Sequence, residues 1–162
     1  MNVFEYAKKM ELDGINFYQD EAERTTHPGF KRILELLTNE EKKHYDFWDK
    51  LQQNSKPGEL SAFPVKEVKN TFQQLRQHKK GFDFSAEQVD VYKKVLEIEK
   101  QSETFYRTEA AKTENEELKK QLLMVAEEEQ KHVILVNSLV EYINRPREWV
   151  EHAMFTQPRP EY

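Results

Sequence analysis

Three residues recur at one fixed interval, and no other feature of the chain restricts its fold so tightly. Glu11, Glu41 and His44 reappear as Glu99, Glu129 and His132; the differences 99 − 11, 129 − 41 and 132 − 44 are all 88. The neighbours follow, with Phe17-Tyr18 mapping onto Phe105-Tyr106 and Glu21-Ala22 onto Glu109-Ala110. Aligning residues 4–51 with 92–139 gives 13 identities in 48 pairs, and all three Glu and His pairs are among them. Four carboxylates and two imidazoles are a full ligand set for two metal ions.

Apolar periodicity places these residues on helices. The spacing predicts a first helix over about 3–24, with an inward seam of Phe4, Ala7, Glu11, Gly14 and Tyr18 in steps of 3 and 4. A second helix is expected over about 30–53, between the Thr25-Thr26-His27-Pro28-Gly29 breaker and Pro57-Gly58. A third starts near Ser85, an N-cap with Gln88 at the capping-box position, and a fourth covers about 116–143. The six Glu and His residues fall on the inward seams, flanked by Leu, Val, Phe, Trp or Tyr. Residues 54–84 form a long connection with a short helix over about 65–79 after Pro64. A long middle link with short outer turns predicts an all-α four-helix bundle over 1–143, built from two antiparallel helical hairpins joined by a crossover. The Arg145-Pro146 break is expected to release a tail, 144–162, whose Trp149 and Phe155 need a docking site such as a partner subunit.

Composition narrows the function. The chain has no cysteine, which excludes disulfides, thiolate-ligated zinc, iron–sulfur clusters and a rubredoxin-type four-cysteine iron centre within it. A net charge of −5, without a basic patch interleaved with aromatics, argues against nucleic acid. No apolar run approaches the roughly 18 residues of a membrane span. The N-terminal stretch MNVFEYAKKMELDG lacks the apolar core of a signal peptide, so a cytoplasmic location is expected.

Glu41 and His44 lie three apart, as do Glu129 and His132, so each pair projects from one helix face. An unpaired carboxylate in a core costs several kcal/mol, and this bundle would hold four. Two divalent cations neutralise them; without metal the centre is expected to be strained or partly protonated. Surface salt-bridge patterns often produce one Glu-x-x-His, but two, offset like a buried Glu pair, set this chain apart from a duplicated metal-free bundle.

On these residues the chain resembles the rubrerythrin branch of the ferritin-like di-iron carboxylate proteins, in which two helices each supply a Glu and two others each supply Glu-x-x-His. The segments Met10–Tyr18, Thr38–His44, Glu99–Tyr106 and Ala126–His132 carry the likeness, which covers about residues 1–143. It implies ferritin-like topology and two iron ions, with Glu41 and Glu129 bridging. Glu11 with His44 and Glu99 with His132 then complete one iron each. It also implies that Tyr18 and Tyr106 hydrogen-bond near the ligands, though a plain core role suits a buried tyrosine equally. Peroxide-reducing rubrerythrins carry a further Glu where this chain has Ser102; Glu103 is adjacent but turned about 100° away along a helix. Gly14 and Ser102 are small, leaving room for dioxygen or a water, or letting helices approach. His27, His78 and His152 read as solvated.

The expected function is that of a non-haem di-iron oxidoreductase, oxidising a diferrous centre with dioxygen or hydrogen peroxide in iron handling or oxidative-stress defence. Electrons come from a separate donor protein, and the chain is expected to form a homodimer. Oxygen and imidazole ligands also accept manganese or a mixed pair. The alternatives are an iron-binding, storage or sensing protein without turnover and, further off, a metal-free helical interaction module.

Overall fold

The computed structural model describes residues 2–58, 60, 63–77 and 85–155, and all regular structure among them is helical. The helices are α1 (Val3–Arg24), α2 (Pro28–Gln52), α3 (Val65–Gln77), α4 (Ala86–Lys112) and α5 (Glu116–Phe155). α1 packs along α2 and α4 along α5, giving two hairpins that meet through α1 and α4. This is the two-hairpin plan expected from the long middle link and short outer turns, and it is consistent with the ferritin-like topology that the resemblance implied. α3 belongs to the crossover and lies on α2, burying Val68 and Thr71, with Arg32 of α2 paired to Glu67.

The repeat extends into the hairpin turns. Thr25 N–H donates to the Glu21 carbonyl at 3.0 Å and Thr113 N–H to that of Glu109 at 3.1 Å. Each threonine hydroxyl oxygen then accepts from the backbone two residues on, from His27 and from Asn115, both at 3.2 Å. Those two residues cap the following helices: His27 Nδ1 accepts from Phe30 N–H at 3.4 Å, and Asn115 Oδ1 from Leu118 N–H at 3.1 Å. The first turn is therefore shorter than the breaker suggested. Pro28 opens α2 instead of ending a loop, because a missing N–H costs nothing at the first helical position. His27, expected to be solvated, is a half-buried cap, and burial lowers its imidazole pKa.

α2 also ends before Pro57-Gly58. Asn54 adopts φ 56°, while Ser55 N–H reaches the Lys50 carbonyl at 2.8 Å and Asn54 N–H that of Leu51 at 3.1 Å. This is the paired bonding that terminates helices at a left-handed residue, a place asparagine tolerates. Ser85 and Gln88 form the expected reciprocal cap, at 3.0 and 3.1 Å. α3 follows Pro64 as expected; His78 and Lys79 lie outside the described residues. The break at Arg145-Pro146 is not there: α5 continues to Phe155. A proline removes one i→i−4 bond without necessarily ending a helix, and good helix formers such as Arg145, Arg147 and Glu148 flank this one. The side chains of Trp149, His152 and Phe155, and residues 156–162, lie outside the description.

Two apolar layers make the core. One gathers Tyr18, Phe30, Leu34, Leu37, Tyr92, Val95, Val136 and Leu139, the other Ala7, Phe47, Trp48, Tyr106, Leu122 and Val125. In all four bundle helices the acidic and histidine residues fall between a member of one layer and a member of the other. On α4, for example, Glu99 lies between Val95 and Tyr106. A large side chain contributes about 1.5–3 kcal/mol when buried. Four uncompensated carboxylates at several kcal/mol each would consume the whole margin of about 5–15 kcal/mol typical of a domain. The layer between the two apolar halves must therefore be compensated.

Candidate metal centre

Glu11 comes from α1, Glu41 and His44 from α2, Glu99 from α4, and Glu129 and His132 from α5; none is more than 4% exposed. The structure brings all six together. They form two overlapping groups, Glu11, Glu41, His44 and Glu129, and Glu41, Glu99, Glu129 and His132, whose potential ligand atoms lie within 4.8 Å of one another. Glu41 and Glu129 belong to both groups. Each imidazole presents Nδ1. That of His44 is 3.0 Å from Glu129 and 3.6 Å from Glu11 and Glu41. That of His132 is 3.2 Å from Glu41 and Glu99 and 3.3 Å from Glu129. The two rings face one another nearly parallel, 11° apart with centroids at 5.5 Å.

The electrostatics divide the carboxylates by position. Burial, then the charges of Glu11, Glu129 and Glu99, raise Glu41 well above the ordinary range. Burial, Glu11 and Glu99 likewise push Glu129 up to about 8. For Glu99, burial is outweighed by His132 and by hydrogen bonds, and its pKa falls to about 2. Glu11 is lowered too, as its partners Glu41 and His44 outweigh burial. Burial also opposes charge on both histidines, but the surrounding carboxylates raise them well above the usual imidazole value. Burial and mutual repulsion thus favour the protonated form of the two shared carboxylates, while the surrounding carboxylates favour the charged form of the imidazoles.

The donor set fits two divalent cations. Four carboxylates balance four positive charges with both imidazoles neutral. Glu11 Oε2 and Glu129 Oε2 are buried without a hydrogen-bond partner, which leaves lone pairs that a cation satisfies.

The tyrosines touch this centre crosswise. Tyr18 donates to Glu99 Oε1 at 2.6 Å and Tyr106 to Glu11 Oε1 at 2.5 Å, so each serves the other hairpin. Trp48 Nε1–H in turn donates to the Tyr106 hydroxyl oxygen at 3.0 Å, with its ring stacked on that tyrosine. The sequence showed Trp48 only as a seam residue. Its counterpart in the repeat is Val136, since 48 + 88 = 136, so among the described residues the relay exists on one side alone.

Ser102 is buried beside the centre at 6% exposure, whereas Glu103 is turned outward and accepts from Arg107 Nε at 2.7 Å. Glu103 does not replace a carboxylate at position 102. At Gly14 an added Cβ would meet only a Tyr18 ring carbon, at 4.0 Å. Close helix approach does not demand glycine there, which favours the reading of open space next to Glu11. Two further residues escaped the sequence reading. Glu40, 3% exposed, faces His132, and Phe63 of the crossover packs its ring 5.5 Å from that imidazole. A signal for Glu40 was present, because Glu40 and Lys43 repeat as Glu128 and Lys131.

Fold and site together define an all-α, ferritin-like protein with a binuclear carboxylate–histidine metal site. The first hairpin is similar to rubrerythrins: the Rubrerythrin family model matches residues 2–52, the whole of α1 and α2 with Glu11, Glu41 and His44. No curated protein and no solved structure matches. The second hairpin, outside that match, carries the same three residues at the 88-residue offset. Among the described residues no helix is long and apolar enough to cross a membrane.

Proposed function

We propose that the chain is a non-haem di-iron oxidoreductase of ferroxidase or peroxide-scavenging type, acting in iron handling or oxidative-stress defence. The observation that carries this is the sharing of Glu41 and Glu129 between the two groups of ligand atoms. Shared carboxylates couple two metals into one redox unit, and carboxylate with imidazole is a donor set that iron accepts. In this reading Glu11 with His44 would hold one metal and Glu99 with His132 the other, with Glu41 and Glu129 available to both. When bound, an iron pair supplies the two electrons that reduce peroxide or begin the reduction of dioxygen.

The chain's own residues prepare that site. Tyr106 and Tyr18 orient Glu11 and Glu99 by engaging Oε1 of each; Oε2 of Glu11 has no hydrogen-bond partner, while Oε2 of Glu99 lies 3.2 Å from His132 Nδ1. To hold a metal, Glu41 and Glu129 must be ionised and the ligating nitrogen of each imidazole unprotonated, so any proton held there must leave. The apolar layers and Phe63 cover the ligand groups, and the small residues Gly14 and Ser102 leave room for dioxygen or a water. Electrons would return from a donor outside residues 1–162, which contain no cysteine and so no four-cysteine iron centre.

Anaerobic titration with iron(II), followed by peroxide, tests this. Uptake should saturate at two equivalents per chain, and one peroxide should be consumed per two irons oxidised. Stable binding without oxidation would replace this reading with that of a protein that stores, buffers or senses iron, a reading that Ser102 at the position of the extra carboxylate favours.

A further inference from the structure

Beyond the six ligand candidates, one more carboxylate is buried at the centre, and nothing described so far employs it. Glu40 precedes Glu41 on α2 and places Oε1 3.9 Å from Nε2 of His132. That nitrogen is buried and has no hydrogen-bond partner. The other ring nitrogen, Nδ1, faces Glu41, Glu99 and Glu129. Glu40 Oε2 lies 2.6 Å from Nζ of Lys43, whose side chain is 40% exposed, so the buried charge is compensated from the surface side. An imidazole that binds metal through Nδ1 carries its proton on Nε2, and a carboxylate accepting that proton fixes tautomer and ring orientation together.

The other half of the repeat lacks this arrangement. The counterpart of Glu40 is Glu128, which pairs with Lys131 at 2.9 Å and whose side chain is 15% exposed. Among the described residues the ion-pair contacts of His44 all run through Nδ1. Two sites built from repeated ligands therefore differ in what stands behind the histidine.

We propose that Glu40 is a positioning residue that accepts the Nε2 proton of His132 and makes the Glu99–His132 metal position the tighter of the two, filled first. This rests on the two-metal reading above but not on its redox chemistry. The separation of 3.9 Å must close by about 1 Å to make a hydrogen bond, within the rotational reach of an unbranched side chain.

The test uses zinc(II) as probe. The metal-free full chain is titrated against a chromophoric chelator as wild type, Glu40→Gln, Glu40→Leu and Glu128→Leu, and histidine side-chain proton–nitrogen spectra are recorded on the zinc-loaded proteins. Wild type should bind two equivalents in unequal steps. Glu40→Leu should weaken the tighter step about 10–100-fold and leave the weaker within about twofold, with Glu40→Gln, which keeps an acceptor oxygen and the side-chain shape, in between. Glu128→Leu should move neither step, and the His132 Nε2 proton should be downfield and slow to exchange only where residue 40 accepts it. Equal weakening of both steps, unchanged affinity in the two Glu40 variants, or a freely exchanging His132 Nε2 proton in wild type would overturn the proposal. So would a wild type that binds fewer than two zinc ions. A Glu40-dependent first step in a chain that, loaded with iron, leaves peroxide untouched would uphold Glu40 and remove only the redox reading.

Discussion

Tyr106, on the second hairpin, donates its hydroxyl proton to Oε1 of Glu11 on the first at 2.5 Å. The mirror bond runs from Tyr18 to Glu99 at 2.6 Å, and the sums 11 + 106 and 18 + 99 are both 117, as antiparallel neighbours require. Each tyrosine therefore supports a carboxylate of the other half. Neither hairpin builds a complete site alone, and forming the centre is the same event as docking the hairpins.

The two crosswise bonds are not equal in consequence. Tyr106→Phe leaves Glu11 without a donor and Trp48 Nε1–H buried without its acceptor, whereas Tyr18→Phe deprives only Glu99. At about 1–3 kcal/mol for each orphaned buried group, Tyr106→Phe should lower the melting temperature more than Tyr18→Phe does. Thermal melts of both variants decide it. Equal shifts would mean that the Trp48 bond contributes nothing.

Ligand roles predict occupancy. Glu41→Ala or Glu129→Ala removes a group shared by both metals, so two-metal binding should be lost. His44→Ala or His132→Ala removes a donor from one group and should leave about one equivalent bound, given that each group otherwise keeps its carboxylates. Elemental analysis after iron loading reads this directly. Identical losses from all four variants would show the bridging assignment to be wrong.

The pH dependence of stability should reverse with metal. Glu41, Glu129, His44 and His132 have raised values in the folded chain. Each stabilises most below its unfolded value, ordinarily 4.5 for the carboxyls and 6.5 for the imidazoles, and that gain is lost as pH rises, through about 8 for Glu129. Glu11 and Glu99 are lowered, so their contribution is present above 4.5 and is lost as pH falls, toward about 2 for Glu99. Metal-free protein should therefore lose melting temperature between mildly acidic pH and pH 8. Metal-loaded protein should gain it over the same range, because the ligands must shed protons to bind. Glu129→Gln should flatten the metal-free profile. Parallel profiles with and without metal would contradict the proton inventory.

Ser102 bears on turnover. The resembled peroxide-reducing rubrerythrins carry a carboxylate at this position, and Glu103 is committed to Arg107. Peroxide consumption with a rubredoxin-type donor should therefore be slow in wild type and rise in Ser102→Glu at equal iron loading. A wild type that already consumes peroxide as fast as a seven-ligand rubrerythrin would show that a water or another group supplies what Ser102 lacks.

How much of this was legible without coordinates follows from the range of each interaction. Helix identity and inward seams are local properties of spacing, so α1 and the cap at Ser85 and Gln88 were readable residue by residue. The duplication made the metal centre readable as well, since gapless recurrence of Glu11, Glu41 and His44 needs no knowledge of how helices meet. Helix ends were less legible. Pro28 opening α2, Asn54 closing it and Pro146 failing to stop α5 depend on which backbone groups find partners, and the same residue types mark both breaks and caps.

The sequence by itself determined the all-α class, the two-hairpin plan and the six residues of the centre, because periodicity and repetition are carried along one chain. Only the tertiary structure decided which residues face one another across it. That Glu41 and Glu129 belong to both ligand groups, that Tyr18 and Tyr106 cross over, that Trp48 supports one side alone, and that Glu40 and Phe63 stand against His132 all arise between elements far apart in sequence. The physical reason is that a helical repeat sets the direction of a side chain but not its partner. Partners follow from the antiparallel register of α1 against α4 and from the path of the crossover, which packing of the two apolar layers fixes only once the hairpins dock.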